Sequence, residues 1–178
     1  RYTERAENVA RFVDVHLHLQ LDAAFGVDEQ WAPILATTGD RAAFDARYPT
    51  PTRENVLPPP PPPAPNPTPI VSCLRAAREN ARAVREIVSS EMWEQVNRAY
   101  LMVRDAAATD ALDSPHEFYT AVKNASQLFV GVSYLTMTHN EAWHFGRLGR
   151  LIERADKTSR ILDVKYFLLL PTAQDVGM

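Results

Sequence analysis

The chain has 178 residues, 46% of them hydrophobic and 23% charged, with a formal net charge of −3. That suits one domain with a proper core and supplies no global basic field for nucleic acid or an anionic membrane. Cys73 is the only cysteine, so no internal disulfide can form and a reducing, cytoplasmic setting is expected; no stretch reads as a secretory signal or an uncharged membrane span.

Taken in order, the apolar periodicity predicts a first helix over about Tyr2 to Ala24, stopping near Gly26. Val27 to Thr38 reads as an irregular connection around Trp31 and Pro33, and Asp40 to Tyr48 as a short helix. Between Pro49 and Pro69 the chain holds eleven of its fourteen prolines, six of them consecutive. Such a run lacks backbone donors and favours an extended polyproline conformation, so 49–69 is expected to be a loop or spacer; a PxxP ligand is the alternative, with Arg53 the nearby basic residue.

Ser72 is a candidate cap for a helix from Cys73 to about Val88, with Leu74, Ala77, Ala81, Val84 and Val88 on one seam. Arg75, Arg78, Arg82 and Arg85 follow the same spacing one position over, a line of guanidinium groups suited to phosphates or carboxylates. Glu79 and Glu86 dilute that line, which favours an ion-paired face. A helix over Glu91 to Ala108 places Trp93, Val96, Tyr100 and Val103 together. Ser114, Pro115 and Glu117 announce another, running to about Met137. Thr138 with Glu141 then opens a long last helix that ends before Pro171.

That last helix contains LGRLIERADKTSRILDVKYFLLL, and the first contains ERAENVARFVDVHLHLQL. At one constant offset, Glu4 matches Glu153, Arg5 Arg154, Ala6 Ala155, Arg11 Arg160, Asp14 Asp163, Val15 Val164, Leu19 Leu168 and Leu21 Leu170, eight identities in eighteen positions without a gap. On a helix, Glu4, Glu7, Arg11 and Asp14 fall within about 80° of arc, as do Glu153, Asp156, Arg160 and Asp163. The acid-to-Arg spacing of four suits pairing within each helix. Opposite the stripe lie Val9, Phe12, Val13, Leu17 and Leu19 in the first copy. In the second lie Leu148, Leu151, Ile152, Ala155, Ile161, Leu162, Leu168 and Leu169. Apolar arcs this wide predict that both helices are largely enclosed, with part of the charged stripe buried beside them.

The stripe has three readings: a solvated face of ordinary ion pairs, a network between helices in which Arg11 and Arg160 present planar forks to carboxylates, and a ligand site lined by both copies. Other chemistry is sparse. His16 and His18 are two apart on a helix, a poor chelating spacing, and Glu141 with His144 is a lone Glu-x-x-His where carboxylate-bridged metal bundles need two. No phosphate-cradling glycine loop, nucleophile elbow, paired CxxC or HExxH occurs. No metal or cofactor is therefore expected. The fold expectation is all-α, one multi-helix bundle over 1–178 with a duplicated Glu-Arg helix motif and a proline-rich loop.

The segments ERAEN and ERADKTSRILDVKY, together with IVSCLRAARENARAVREIVSSEMWEQVNRAY, SPHEFY and HNEAWHFGRLGR, resemble the bacterial alpha-E domain family. The resemblance covers most of the chain outside Val27 to Pro69, and it places the family's Glu-Arg motif on Glu4, Arg5, Glu153 and Arg154. It implies a chain incomplete at both ends, with a proline run in place of a more ordinary loop. It also implies an accessory role in peptide-synthesis or protein-modification systems, with ATP-grasp-type ligases and transglutaminase-like proteins as partners. Two functions follow as expectations. The first is a helical binding or scaffold domain without catalytic activity of its own. The alternative is a helical enzyme or substrate-binding domain for amide-bond chemistry, in which Glu4, Arg11, Asp14, Glu153, Arg160 and Asp163 converge on a cleft.

Overall fold

A computed structural model describes residues 1–22, 31, 35, 44–46, 48–52, 55, 69–108 and 115–169. Five helices organise them: α1 (Tyr2–Asp22), α2 (Pro69–Ala83), α3 (Ser90–Ala108), α4 (Pro115–Thr136) and α5 (Glu141–Leu169). No strand occurs among the described residues. The chain is all-α.

The helix ends follow from local chemistry. Pro69 opens α2, its fixed φ and missing N–H suiting a first helical position, so α2 begins earlier than a cap at Ser72 implies. It also ends earlier, at Ala83, where the Val84 amide reaches back only three residues to the Ala81 carbonyl (3.3 Å) and 84–87 becomes a turn. Ser89 caps α3, its Oγ accepting from the Met92 amide at 3.1 Å. Asn140, rather than Thr138, caps α5: its Oδ1 accepts from the Trp143 amide and its carbonyl from the His144 amide (3.4 and 3.1 Å).

Helices α1 to α4 close a ring, α1 packing on α2 and α4, and α3 on α2 and α4. The core inside it takes Ala6, Val9, Ala10 and Val13 from α1, a spacing of three, one and three that keeps them on one helical face. Leu74, Val96, Val103 and Val122 complete its most deeply buried positions, each such side chain contributing about 1.5–3 kcal/mol. Trp31 is a helical residue of this core and Leu35, also helical, is buried, so at these two positions the connection after α1 is more ordered than the sequence suggests. Phe44 and Asp45 are helical, as expected for the short helix, and the Tyr48 amide donates to the Phe44 carbonyl at 3.0 Å. The six consecutive prolines, and the side chains of Leu19, Leu168 and Leu169, lie outside the described residues.

Helix α5 stands apart from this ring and leans chiefly on α1. Here the sequence expectation fails. Leu148, Leu151, Ile152, Ile161 and Leu162 are exposed, as is Ala155, and among the described side chains those that α5 buries are instead Glu153 and Lys157. A helix held along one narrow contact buries whichever face meets its neighbour, and on α5 that is the charged one.

Candidate functional site: an exchanged Glu-Arg clasp and an arginine-edged groove

The two copies of the motif meet through their first two charged residues. Arg5 on α1 donates through Nε and Nη2 to the two carboxylate oxygens of Glu153 on α5, at 2.6 and 3.0 Å. Arg154 on α5 returns the same bidentate pair to Glu4 on α1, at 2.7 and 3.1 Å. Each helix thus gives an acid and takes one, with the same guanidinium nitrogens used both ways. Forked pairs of this kind are the stronger, orientation-fixing ion pairs.

The exchange is not fully symmetric. Glu153 is wholly buried and also accepts from Arg1 Nε at 2.8 Å, with Lys157 Nζ 3.9 Å away. Burial pushes its carboxyl pKa up, but hydrogen bonds from Arg5 and Arg1 and the charges of Arg5 and Lys157 more than reverse this, leaving it below the ordinary glutamate value. Arg5 is shifted upward chiefly by its bond to Glu153, and Arg154 by its bond to Glu4. Lys157 is nearly as buried as Glu153 and also lies 3.4 Å from Asp156.

The rest of each stripe does not converge on this point. Glu7 accepts from Arg11 at 2.6 Å within α1, and Asp156 from Arg160 at 3.2 Å within α5, both four-residue pairs. The Arg160 bond holds Asp156 below the usual aspartate value. Asp14 is buried against α4, where Lys123 donates to its Oδ2 and His116 Nδ1 lies 2.7 Å from its Oδ1, and Asp163 is exposed. Sequence reasoning missed Arg1, Lys157, His116 and Lys123. Lys157 was discoverable, four residues after Glu153; the others are brought in by packing.

The arginine line of α2 divides. Arg78 donates to Asn97 Oδ1 at 2.6 Å and lies over the Trp93 and Tyr100 rings of α3, so it joins α2 to α3. Arg82 pairs with Glu79 at 3.1 Å. Arg75 and Arg85 are exposed, the latter in the turn beyond the end of α2. Glu141 and His144 are exposed at the start of α5; His144 meets the Trp143 ring at 5.0 Å, and neither belongs to a cluster of possible metal ligands among the described residues.

A second feature lies away from the clasp's carboxylates. The last turns of α2, the C-terminal half of α4 and the first turns of α5 enclose a groove of about 770 Å³. Ala81, Val84, Tyr134, Leu135 and Phe145 give it an apolar lining. Arg1, Arg147 and Arg150 also line it, and no acidic residue does among those described. Arg147 lies over the Trp143 ring at 5.4 Å, and the Nε of Arg150 is buried without a hydrogen-bond partner among the described residues.

An all-helical domain whose two Glu-Arg dipeptides clasp one another is the class that this geometry defines. The chain belongs to the Alpha-E family: the family model, described as a predicted alpha-helical domain with a conserved ER motif, matches residues 1–177. No curated protein and no solved structure matches the chain. Among the described residues, no helix is long and apolar enough to cross a membrane.

Proposed function

We propose that the chain is a helical binding module, an accessory of an ATP-grasp-type peptide or protein ligase, which holds a segment of that partner in the groove between α2, α4 and α5. The groove carries this reading. Its apolar side chains are left exposed by folding, and Leu135, at 81% exposure, contributes little to the core. Of its three arginines Arg1 is already paired with Glu153, which leaves Arg147 and Arg150, opposed by no described carboxylate in the lining, to select an occupant with acidic residues beside an apolar face. An amphipathic segment laid into such a groove is a recurrent mode of protein recognition.

The competing reading, amide-bond chemistry on the duplicated stripe, calls for a carboxylate free to take a proton. Glu4 and Glu153 each accept a forked pair from a guanidinium, and Glu153 is held ionised, so the stripe reads better as the clasp that docks α5 on α1.

Calorimetric titration of the chain with a purified ATP-grasp-type ligase from the same genome tests the proposal. The expected result is a Kd of about 1–10 µM that weakens roughly tenfold or more in Leu135→Asp and in Arg147→Glu. Absence of binding, or binding indifferent to both substitutions, overturns it.

A further inference from the structure

Asp14, His18 and His116 form a cluster that neither the clasp nor the groove uses. Asp14 and His18 are four apart on α1, one helical turn, and so share a face. His116 stands in the first turn of α4, the helix packed along that face. Asp14 Oδ1 lies 2.7 Å from His116 Nδ1 and 3.8 Å from His18 Nε2, and the two imidazole nitrogens are 3.1 Å apart. Three lone-pair-bearing atoms thus enclose one small triangle.

A proton satisfies this arrangement poorly. If His116 Nδ1 carries it, one N–H serves both Asp14 and His18; if His18 Nε2 carries it, the short Asp14–His116 contact has none. A cation with three open coordination positions satisfies all three atoms at once. Tetrahedral zinc, with bonds of about 2.0–2.2 Å to nitrogen and oxygen, sets its ligand atoms roughly 3.3 Å apart, close to the middle of the three separations found here. The other carboxylate oxygen, Asp14 Oδ2, is held by Lys123 Nζ at 2.5 Å, which orients Oδ1 towards the histidines as a single-oxygen ligand. The carboxylate is buried while both imidazoles are more than half exposed, so the fourth position faces solvent and takes water.

We propose that Asp14, His18 and His116 bind a divalent transition-metal ion of the zinc type at the junction of α1 and α4. The two-histidine, one-carboxylate donor set favours zinc over magnesium or calcium, which take oxygen ligands. The site is independent of the groove, none of its residues lining it, so failure of either proposal leaves the other standing.

The test uses the full chain without a histidine tag, stripped with chelator and titrated with zinc chloride in a calorimeter. Parallel addition of cobalt(II) is followed by visible absorption. One equivalent of zinc with a Kd of about 1 µM or tighter is expected, with the stronger absorption of four-coordinate rather than octahedral cobalt. His18→Asn and His116→Asn should each weaken zinc binding by about 10–100-fold, in line with loss of one ligand interaction of about 1.4–2.8 kcal/mol. Both side chains are largely exposed, so circular dichroism should show both variants folded. His139→Asn, an exposed histidine outside the cluster, should bind as the parent does. No binding at about 100 µM zinc, or equal binding by the parent and both cluster variants, overturns the site.

Discussion

The two copies of the Glu-Arg motif share eight residues in register and occupy opposite environments. Ala6 is fully buried and its match Ala155 is exposed; Val13 is 3% exposed and the residue matching it, Leu162, is 65% exposed. On α1 the apolar arc faces α2 and α4, and the charged residues Glu4 and Arg5 reach outward to α5. On α5 Glu153 turns inward, and the described part of the apolar arc is left bare. One pattern therefore does two jobs: α1 belongs to the ring through its apolar side, and α5 is attached to the ring through its charged side. The difference shows that an amphipathic sequence fixes which residues share a face and leaves open which face is covered.

The largest test of this contrast is at the clasp. In Glu153→Gln, Arg5, Arg1 and Lys157 lose their common counter-charge at a buried point, a loss of about 3–5 kcal/mol. For a chain of this size the thermal midpoint should fall by roughly 6–20 °C. Glu4 accepts from Arg154, whose side chain is more than half exposed. Glu4→Gln should therefore cost less, about 1–3 kcal/mol. Equal effects from the two substitutions, measured by calorimetry, would show that the asymmetry around Glu153 carries no weight.

Next in size is the apolar side of α1. Val13→Ala opens a space in the sealed ring and should cost about 1–3 kcal/mol, a midpoint lower by roughly 2–12 °C. Because Val13 touches the core and not the clasp, its effect should add to that of Glu153→Gln in the double variant. Strong non-additivity would mean that α5 and the ring unfold as one coupled surface.

Acidification separates a buried histidine of the ring from the ion-paired carboxylates by pH. Burial against Trp31 lowers the His16 pKa from its ordinary 6.5, which favours the uncharged ring in the core, and its Nε2 has no hydrogen-bond partner among the described residues. A base with a lowered folded pKa stabilises the fold above its unfolded value, and that contribution declines as pH falls below about 6.5 towards the folded value. Glu153 is also lowered, so its contribution is complete above about 4.5 and declines below it. Midpoint against pH should therefore fall in two stages, the first from His16 in the ring and the second from the lowered carboxylates, Glu153 in the clasp together with Asp14 on the α1–α4 contact and Asp156 on α5. His16→Leu should flatten the first stage alone; a single stage below about pH 4.5 in the parent would refute the assignment.

These residues also show what was legible beforehand. Helix positions were, because alternating three and four spacing with Ser and Pro signals marks them. The partnership of Glu4, Arg5, Glu153 and Arg154 was half legible: the repeat named the residues, and only packing could show that each acid takes the other copy's Arg. The burial of α5 was misread, because the width of an apolar arc says nothing about whether a neighbour reaches it. Asp14 looked like one more member of a stripe, since its partners His116 and Lys123 come from α4, beyond any periodicity. Arg78 looked like one more member of an ion-paired or anion-binding line for the same reason, its Asn97 and aromatic contacts being supplied by α3.

The smallest predicted effect is the sharpest discriminator between the two copies. Leu162 is the counterpart of Val13, and Leu162→Ala removes a larger side chain from a position that solvent already reaches. A surface substitution of this kind changes stability by no more than about 0.5 kcal/mol, so the midpoint should move by only about 1–2 °C. The measurement should be made across a wide range of protein concentration. If Leu162→Ala matches Val13→Ala in cost, and the parent's midpoint rises with concentration while the variant's does not, the bare arc of α5 is covered by a second copy in solution. The two copies of the motif would then differ in what covers them, and not in whether they are covered. If the midpoint barely moves at any concentration, α5 is held by its charged edge alone, and the exchanged Glu-Arg pairs are what keep a helix with an exposed apolar face attached to the ring.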